Sequence, residues 1–219
     1  MILALLGDVL SPPECAACAG HVRSGGVVFC SACAATVVRC ENTPSLVAFG
    51  HYGGALATAI QRFKYGDCPH LARPLGGLVG IACRDLDGKG SIVVPVPLHP
   101  RRLALRGYNQ SALLAGHVAA ALGAKVATNA LFRIVDTSPQ AELSRARREL
   151  NVAQVFRARS AVVAARPVIV VDDVATTGAT LTACRAALVV AGAPLVTSVV
   201  LARTIAGPVG FSTTAPQLA

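Results

Sequence analysis

Tryptophan is absent from this 219-residue chain, methionine occurs once, and phenylalanine and tyrosine together number nine. So few aromatics argue against a surface that holds single-stranded nucleic acid mainly by base stacking. Lysine is scarce too: three residues, against 17 arginines, on the cationic side of a net charge of +9. No apolar run approaches the roughly 20 residues that span a bilayer, so membrane insertion is not expected. The opening segment Met1 to Asp8 has no basic leader and breaks after six apolar residues, which argues against a secretory signal. A soluble, cytoplasmic protein is expected. No GxxxxGK[ST] loop occurs and no GxGxxG follows a strand, which removes two common routes to nucleotide binding.

What is present points to phosphate. Arginine offers a planar fork that meets phosphate oxygens in pairs, so the arginine excess fits a polyanionic ligand, whether a small nucleotide-like molecule or a nucleic acid. GC-rich coding would inflate Ala, Arg, Gly and Val together, so charge alone decides little. With 219 residues there is room for one medium domain and a small appendage.

Apolar strand-like runs alternate with helical spacing, the pattern of a parallel α/β sheet. Strands are expected at Leu46–Phe49, Ile92–Pro97, Lys125–Ala127, Val168–Val174 and Leu195–Leu201. Helices are expected near Ala55–Phe63, Leu71–Cys83, Ser111–Leu122 and Ala179–Ala191. The Arg-rich stretch 136–151 reads as a long loop or hairpin. Residues 1–40 form a turn-rich unit, 45–205 the main domain, and 206–219 a poorly ordered tail.

The segment Val168 to Thr180, VIVVDDVATTGAT, is the most informative. In an open parallel sheet, ligands sit beyond the carboxyl ends of the strands, where Asp172 and Asp173 emerge. Adjacent carboxylates can accept both hydroxyl protons of a ribose diol. Ala175, Thr176, Thr177, Gly178, Ala179 and Thr180 then turn into a helix, and small residues let backbone N–H groups approach a phosphate that the helix N-terminus favours. A ligand with a diol at one end and a phosphate at the other is a ribose 5-phosphate. A separate basic cluster, His99, Arg101, Arg102 and Arg106, lies within eight residues after Val96-Pro97.

The eight cysteines include two CxxC pairs, Cys15/Cys18 and Cys30/Cys33, separated by 11 residues. Each pair aims two sulfurs at one centre, and four thiolates complete a closed tetrahedral site. Structural zinc is the expected occupant; two redox dithiols or buried free cysteines are the alternative. Cys40 has no CxxC partner.

The phosphate-loop segment resembles the signature of type I phosphoribosyltransferases. With HYGGALATAIQRFKYGD (51–67), PVPLHPRRLALRGYNQSALLA (95–115), TSPQAELSRARRELNVAQVF (137–156) and the paired cysteines, the likeness extends to the ComF family over most of residues 10–204. The resemblance implies a type I phosphoribosyltransferase fold with an N-terminal zinc-binding module, a 5-phosphoribosyl-1-pyrophosphate ligand with Mg²⁺, and transfer to an acceptor that nothing here identifies. It implies Arg101 and Arg102 as pyrophosphate contacts and a mobile lid at 136–151. Catalytic roles fall to Asp172, Asp173 and Arg148, with Gln140, Leu143 and Asn151 as further matches. Lys64 matches a family position with an open role, and the N-terminal 90 residues would form the hood over the acceptor. The family's link to DNA uptake keeps alive a second reading, a non-catalytic factor that binds the sugar phosphate and single-stranded DNA.

Overall fold

The computed structural model describes residues 14–22, 26–133 and 155–204. The lid segment, with Gln140, Leu143, Arg145, Arg147, Arg148 and Asn151, lies outside the described residues, as does the expected tail.

Among the described residues seven strands form: β1 (Leu46–His51), β2 (Ile92–Pro95), β3 (Lys125–Val126), β4 (Leu131–Arg133), β5 (Phe156–Ala158), β6 (Val168–Ala175) and β7 (Val196–Arg203). Five of them make a fully parallel sheet in the order β1-β7-β6-β2-β3, while β4 and β5 pair antiparallel. The helices are α1 (Ser31–Ala34), α2 (Gly54–Tyr65), α3 (Ala72–Cys83), α4 (Pro100–Arg106), α5 (Gln110–Leu122), α6 (Ser160–Val163) and α7 (Ala179–Val190), with a 3₁₀ turn at Pro69–Leu71.

The sheet is covered on both faces, so its strands read as continuous apolar runs whose alternate residues enter different cores. Phe49, Val93, Ile169, Val171, Val199 and Leu201 meet α2, α3 and α5 on one side. Ala48, Val94, Val168, Val170 and Val200 meet α7 on the other. The β2-to-β3 connection thus crosses one face and the β6-to-β7 connection the opposite one. That reversal places a topological switch point between β2 and β6, where such sheets open a crevice.

Two expectations need correction. No helix is expected between Pro97 and Ser111, yet Pro100 opens helix α4 at its first position, where its missing N–H costs nothing, and His99 Nδ1 accepts from Arg101 N–H at 3.2 Å as the cap. The N-terminal 90 residues are not simply a hood either, because β1 is a strand of the central sheet.

The cysteine-bearing segment joins the core directly. Cys15, Ala16, Val22 and Phe29 pack with residues of α2 and α3. Arg62 on α2 donates to the carbonyls of Cys15 and Ala16 at 3.0 and 2.9 Å and to Glu14 at 2.8 Å. Glu14 also meets His70 Nε2 at 3.2 Å, and these partners hold its carboxyl below the usual carboxylate range, the Arg62 hydrogen bond contributing most. Thr36 Oγ1 accepts from Ala55 N–H at the start of α2. Gly54 there has φ +50°, and a Cβ would lie 2.5 Å from the Thr36 carbonyl oxygen, so only glycine allows this approach.

Candidate functional site

At the switch point, the ends of β2 and β6 border a cleft of about 300 Å³. Asp172, Asp173, Thr176, Thr180 and Arg102 line it, joined by Lys64, Arg106, Arg133 and Ser111. The structure therefore brings together both acids, two phosphate-loop threonines and one of the two preferred arginines. Arg101 is exposed on α4 and does not line the cleft. Ala175 is buried beneath the loop; Thr177, Gly178 and Ala179 form the turn beside it. Gly178 has φ +76°, the left-handed conformation that aims the chain into α7. Thr204 pins the loop from below, its N–H donating to the Ala175 carbonyl and its hydroxyl to the Thr176 carbonyl, both at 2.9 Å. The first-turn N–H groups of α7 have no carbonyl partner within the helix and carry its positive end.

The acids differ in their surroundings. Asp173, 7 % exposed, is paired with Lys64 Nζ at 2.7 Å. Asp172 Oδ1 accepts from Ser111 Oγ at 2.8 Å and from the Asp173 N–H at 2.9 Å. Burial, and then the charge of Asp173, push the Asp172 carboxyl up to about 7, although the Ser111 hydroxyl and the Asp173 N–H oppose this.

The segment Arg106 to Ser111 holds the cleft together. Tyr108 Oη donates to the Phe63 carbonyl at 2.5 Å, and Gln110 Nε2 reaches the same oxygen at 3.4 Å. Asn109 caps α5 by accepting from Ser111 N–H and ties the helix to β2 through the Val96 carbonyl. Ser111 completes the chain of contacts at Asp172. Sequence reasoning missed Ser111, Gln110, Tyr108 and the Lys64–Asp173 pair. A signal was available in Asn109-Gln110-Ser111, three polar residues opening an apolar helix.

The second site is the cysteine cluster. The sulfurs of Cys15, Cys18, Cys30 and Cys33 all lie within 4.8 Å of one another, and Cys18 and Cys30 are 3.9 Å apart. A zinc tetrahedron with Zn–S of about 2.3 Å has sulfur–sulfur edges of about 3.8 Å, whereas a disulfide needs about 2 Å. All four are free thiols. Although burial opposes ionisation at Cys15, N–H groups of Cys18, Cys30 and Ala17 bring its thiol down to about 6. Burial and hydrogen bonds to the neighbouring thiols push Cys33 up to about 12. Only a cation at the centre lets all four ionise together, so the donor set fits a structural metal ion and suits zinc.

No family model matches the chain. Competence protein F of Haemophilus influenzae is 32 % identical over 184 residues, 80 % of this chain and 77 % of that protein. DNA utilization protein YhgH of Salmonella typhimurium is 31 % identical over 207 residues, 87 % of this chain and 90 % of its own length. Among solved structures, the allosteric regulatory enzyme of purine biosynthesis aligns at 22 % identity with a TM-score of 0.44 over 59 % of this chain. Glutamine phosphoribosylpyrophosphate amidotransferase from B. subtilis gives the same identity and TM-score over 58 %. The alignment spans about a quarter of each of those two chains, 26 %. Among the described residues, no helix is long and apolar enough to cross a membrane.

Proposed function

The chain belongs to the ComF family of competence proteins, and from that premise we propose that its switch-point cleft binds 5-phosphoribosyl-1-pyrophosphate and transfers the phosphoribosyl group to an acceptor. The observation that carries this reading is the junction of two adjacent carboxylates with a phosphate turn and an arginine wall in one cleft.

Asp172 and Asp173 accept the ribose hydroxyl protons, and the turn Thr176–Thr180 with the first N–H groups of α7 receives the 5-phosphate. Arg102 faces the pyrophosphate. Magnesium arriving with the ligand would neutralise the leaving oxygens. Lys64 is the resident counter-ion of Asp173 before the ligand enters. In the reaction, the acceptor lone pair forms a bond to C1′ as the C1′–oxygen bond breaks. The bonding pair departs on pyrophosphate, and the acceptor loses its proton to solvent.

Titration calorimetry with phosphoribosyl pyrophosphate and magnesium tests the ligand. We expect a single site, weakened about 100-fold or more in the Asp172→Asn/Asp173→Asn double variant, because charge-assisted hydrogen bonds contribute about 1.5–3 kcal/mol each. Absence of heat with the wild-type protein would refute it. Pyrophosphate release with a panel of bases and amines then tests transfer. A second reading, a binding factor for DNA uptake that does not turn over, draws on the likeness to competence and DNA utilization proteins and on the net charge of +9. Intact ligand binding with a silent acceptor panel would favour it.

A further inference from the structure

Among the described residues, Lys64 is the cation of the cleft that is paired with one of its two acids. Its Nζ lies 2.7 Å from Asp173 Oδ1, and the side chain, 20 % exposed, still lines the cleft. The backbone that carries it is fixed. The Phe63 carbonyl just before it accepts from Tyr108 Oη at 2.5 Å and from Gln110 Nε2 at 3.4 Å, and Phe63 itself is fully buried. A four-carbon stem on such a backbone gives the ammonium reach without moving the helix. With Arg102 and Arg106, Lys64 also lines a neighbouring cavity of about 770 Å³. Thr176 and Thr180 of the phosphate turn line the cleft alone, so the shared cations mark its other end. Arg106 is already engaged there, donating to Gln110 Oε1 at 3.2 Å with its guanidinium 4.6 Å from the Tyr65 ring centroid. The Lys64 ammonium carries three N–H donors, and one suffices for Asp173.

A ligand with its 5-phosphate at the turn and its diol over the acids directs its anomeric carbon toward that cationic end. We infer that Lys64 reads what this carbon carries: one N–H stays on Asp173 while another donates to the pyrophosphate oxygen nearest C1′. The same ammonium then orients both the acid that holds the sugar and the group that leaves. The inference rests on reading the cleft as the seat of phosphoribosyl pyrophosphate. Lysine suits the task because it is a compact charge with three rotatable donors, whereas the rigid fork of arginine grips a single anion in pairs. A lysine present only to neutralise Asp173 would need no opening to the cleft and would be indifferent to the anomeric substituent. Ribose 5-phosphate has a neutral hydroxyl at C1′ and gives the charge nothing to hold, so Lys64 selects the activated sugar over its hydrolysed form. As the C1′–oxygen bond breaks, negative charge grows on that oxygen, and a donor already oriented there stabilises it.

The test measures the affinity of the full chain, by titration calorimetry with magnesium, for phosphoribosyl pyrophosphate, pyrophosphate and ribose 5-phosphate. Lys64→Met should weaken the two pyrophosphate ligands about ten- to hundredfold, the range of one hydrogen bond to a charged group, and leave ribose 5-phosphate unchanged. Lys64→Arg keeps the charge and should recover most of the loss. Equal weakening of all three ligands, the result if Lys64 only holds Asp173 in place, would overturn the inference. The wild-type protein supplies a second measurement that does not depend on the folding of a variant. Of the three lysines, Lys89 and Lys125 are exposed and line neither cavity, so they serve as internal controls. In reductive methylation read by mass spectrometry, phosphoribosyl pyrophosphate at about ten times its Kd should slow modification of Lys64 about tenfold, while the two controls keep their rates. Ribose 5-phosphate at the same multiple of its own Kd should protect Lys64 far less, and equal protection by the two sugars counts against the inference. No heat from phosphoribosyl pyrophosphate with the wild-type protein refutes the reading of the cleft and this inference with it. Heat that Lys64→Met leaves intact refutes the inference alone.

Discussion

The cysteine cluster and the switch-point cleft are both polar groups set against apolar cores, and they are built to opposite ends. The cluster is closed in its coordination: four sulfurs meet at one centre, which leaves a tetrahedral ion no position for substrate or water. The cleft is open and internally opposed, with two adjacent carboxylates beside the Thr176–Thr180 turn that opens α7. A metal satisfies the first completely, so its return is stability. Nothing among the described residues fully satisfies the second, so on the proposed reading its return is binding.

Removing the metal should give the largest effect and breaks the comparison if it does not. Purified protein is expected to hold about one equivalent, measured by plasma mass spectrometry and lost in Cys18→Ser. Because Cys15, Ala16 and Phe29 belong to the core around α2, we expect chelation to lower stability by several kcal/mol in urea unfolding. A metal-free protein of unchanged stability would make the cluster a dithiol pair instead.

Lys64→Ala should come next. Its partner Asp173 would be left buried and unpaired, a situation that costs about 3–5 kcal/mol when burial is complete; with side chains 20 % and 10 % exposed, about 2–3 kcal/mol is expected in urea unfolding at neutral pH. No change would mean that solvent reaches Asp173 freely.

The smallest effect is the sharpest test, because it has the opposite sign. Folding raises Asp172 from its ordinary 3.8 to about 7. The folded chain therefore keeps a proton that the unfolded chain releases, and this contribution to stability is complete below about pH 4 and lost as pH rises to about 7. Asp172→Asn cannot ionise and can still accept from Ser111 and the Asp173 N–H. It should match the wild-type protein in acid and exceed it above pH 7 by about 1 kcal/mol, because water reaching Asp172 in the open cleft screens most of the roughly 4 kcal/mol that the full shift implies, while binding phosphoribosyl pyrophosphate far less well. A variant equally or less stable at pH 8 would show that the acids are not in conflict in the empty cleft.

Much of this was legible in the sequence because it is local. The strand-turn-helix of Val168 to Val190 is written in consecutive residues, and so is each CxxC pair. The misses are of two kinds. Helix α4 hid behind Pro95, Pro97 and Pro100, since a proline that stiffens a loop and one that opens a helix look alike until His99 is seen to cap it. The contacts that build the cleft join distant residues: Lys64 with Asp173, Ser111 with Asp172, Tyr108 with Phe63. No local period encodes such pairs. The short strands β4 and β5 were missed because three residues on either side of a long polar segment carry too little pattern to register.

The position of β1 at the sheet edge also bears on how the chain is made. Among the described residues its strand partner in the sheet is β7, so Leu46–His51 finds that neighbour only after Val196–Arg203 has been synthesised, a wait of roughly 10–30 s at ribosomal rates. During that interval the edge of β1 that will meet β7 stays open, a hazard for aggregation, while its other edge already meets Val38 and Arg39. The cysteine cluster just ahead of it can close on a metal as soon as it emerges and hold α2 through Arg62. Metal supply during translation, rather than in the finished protein, is then expected to set the yield of folded chain.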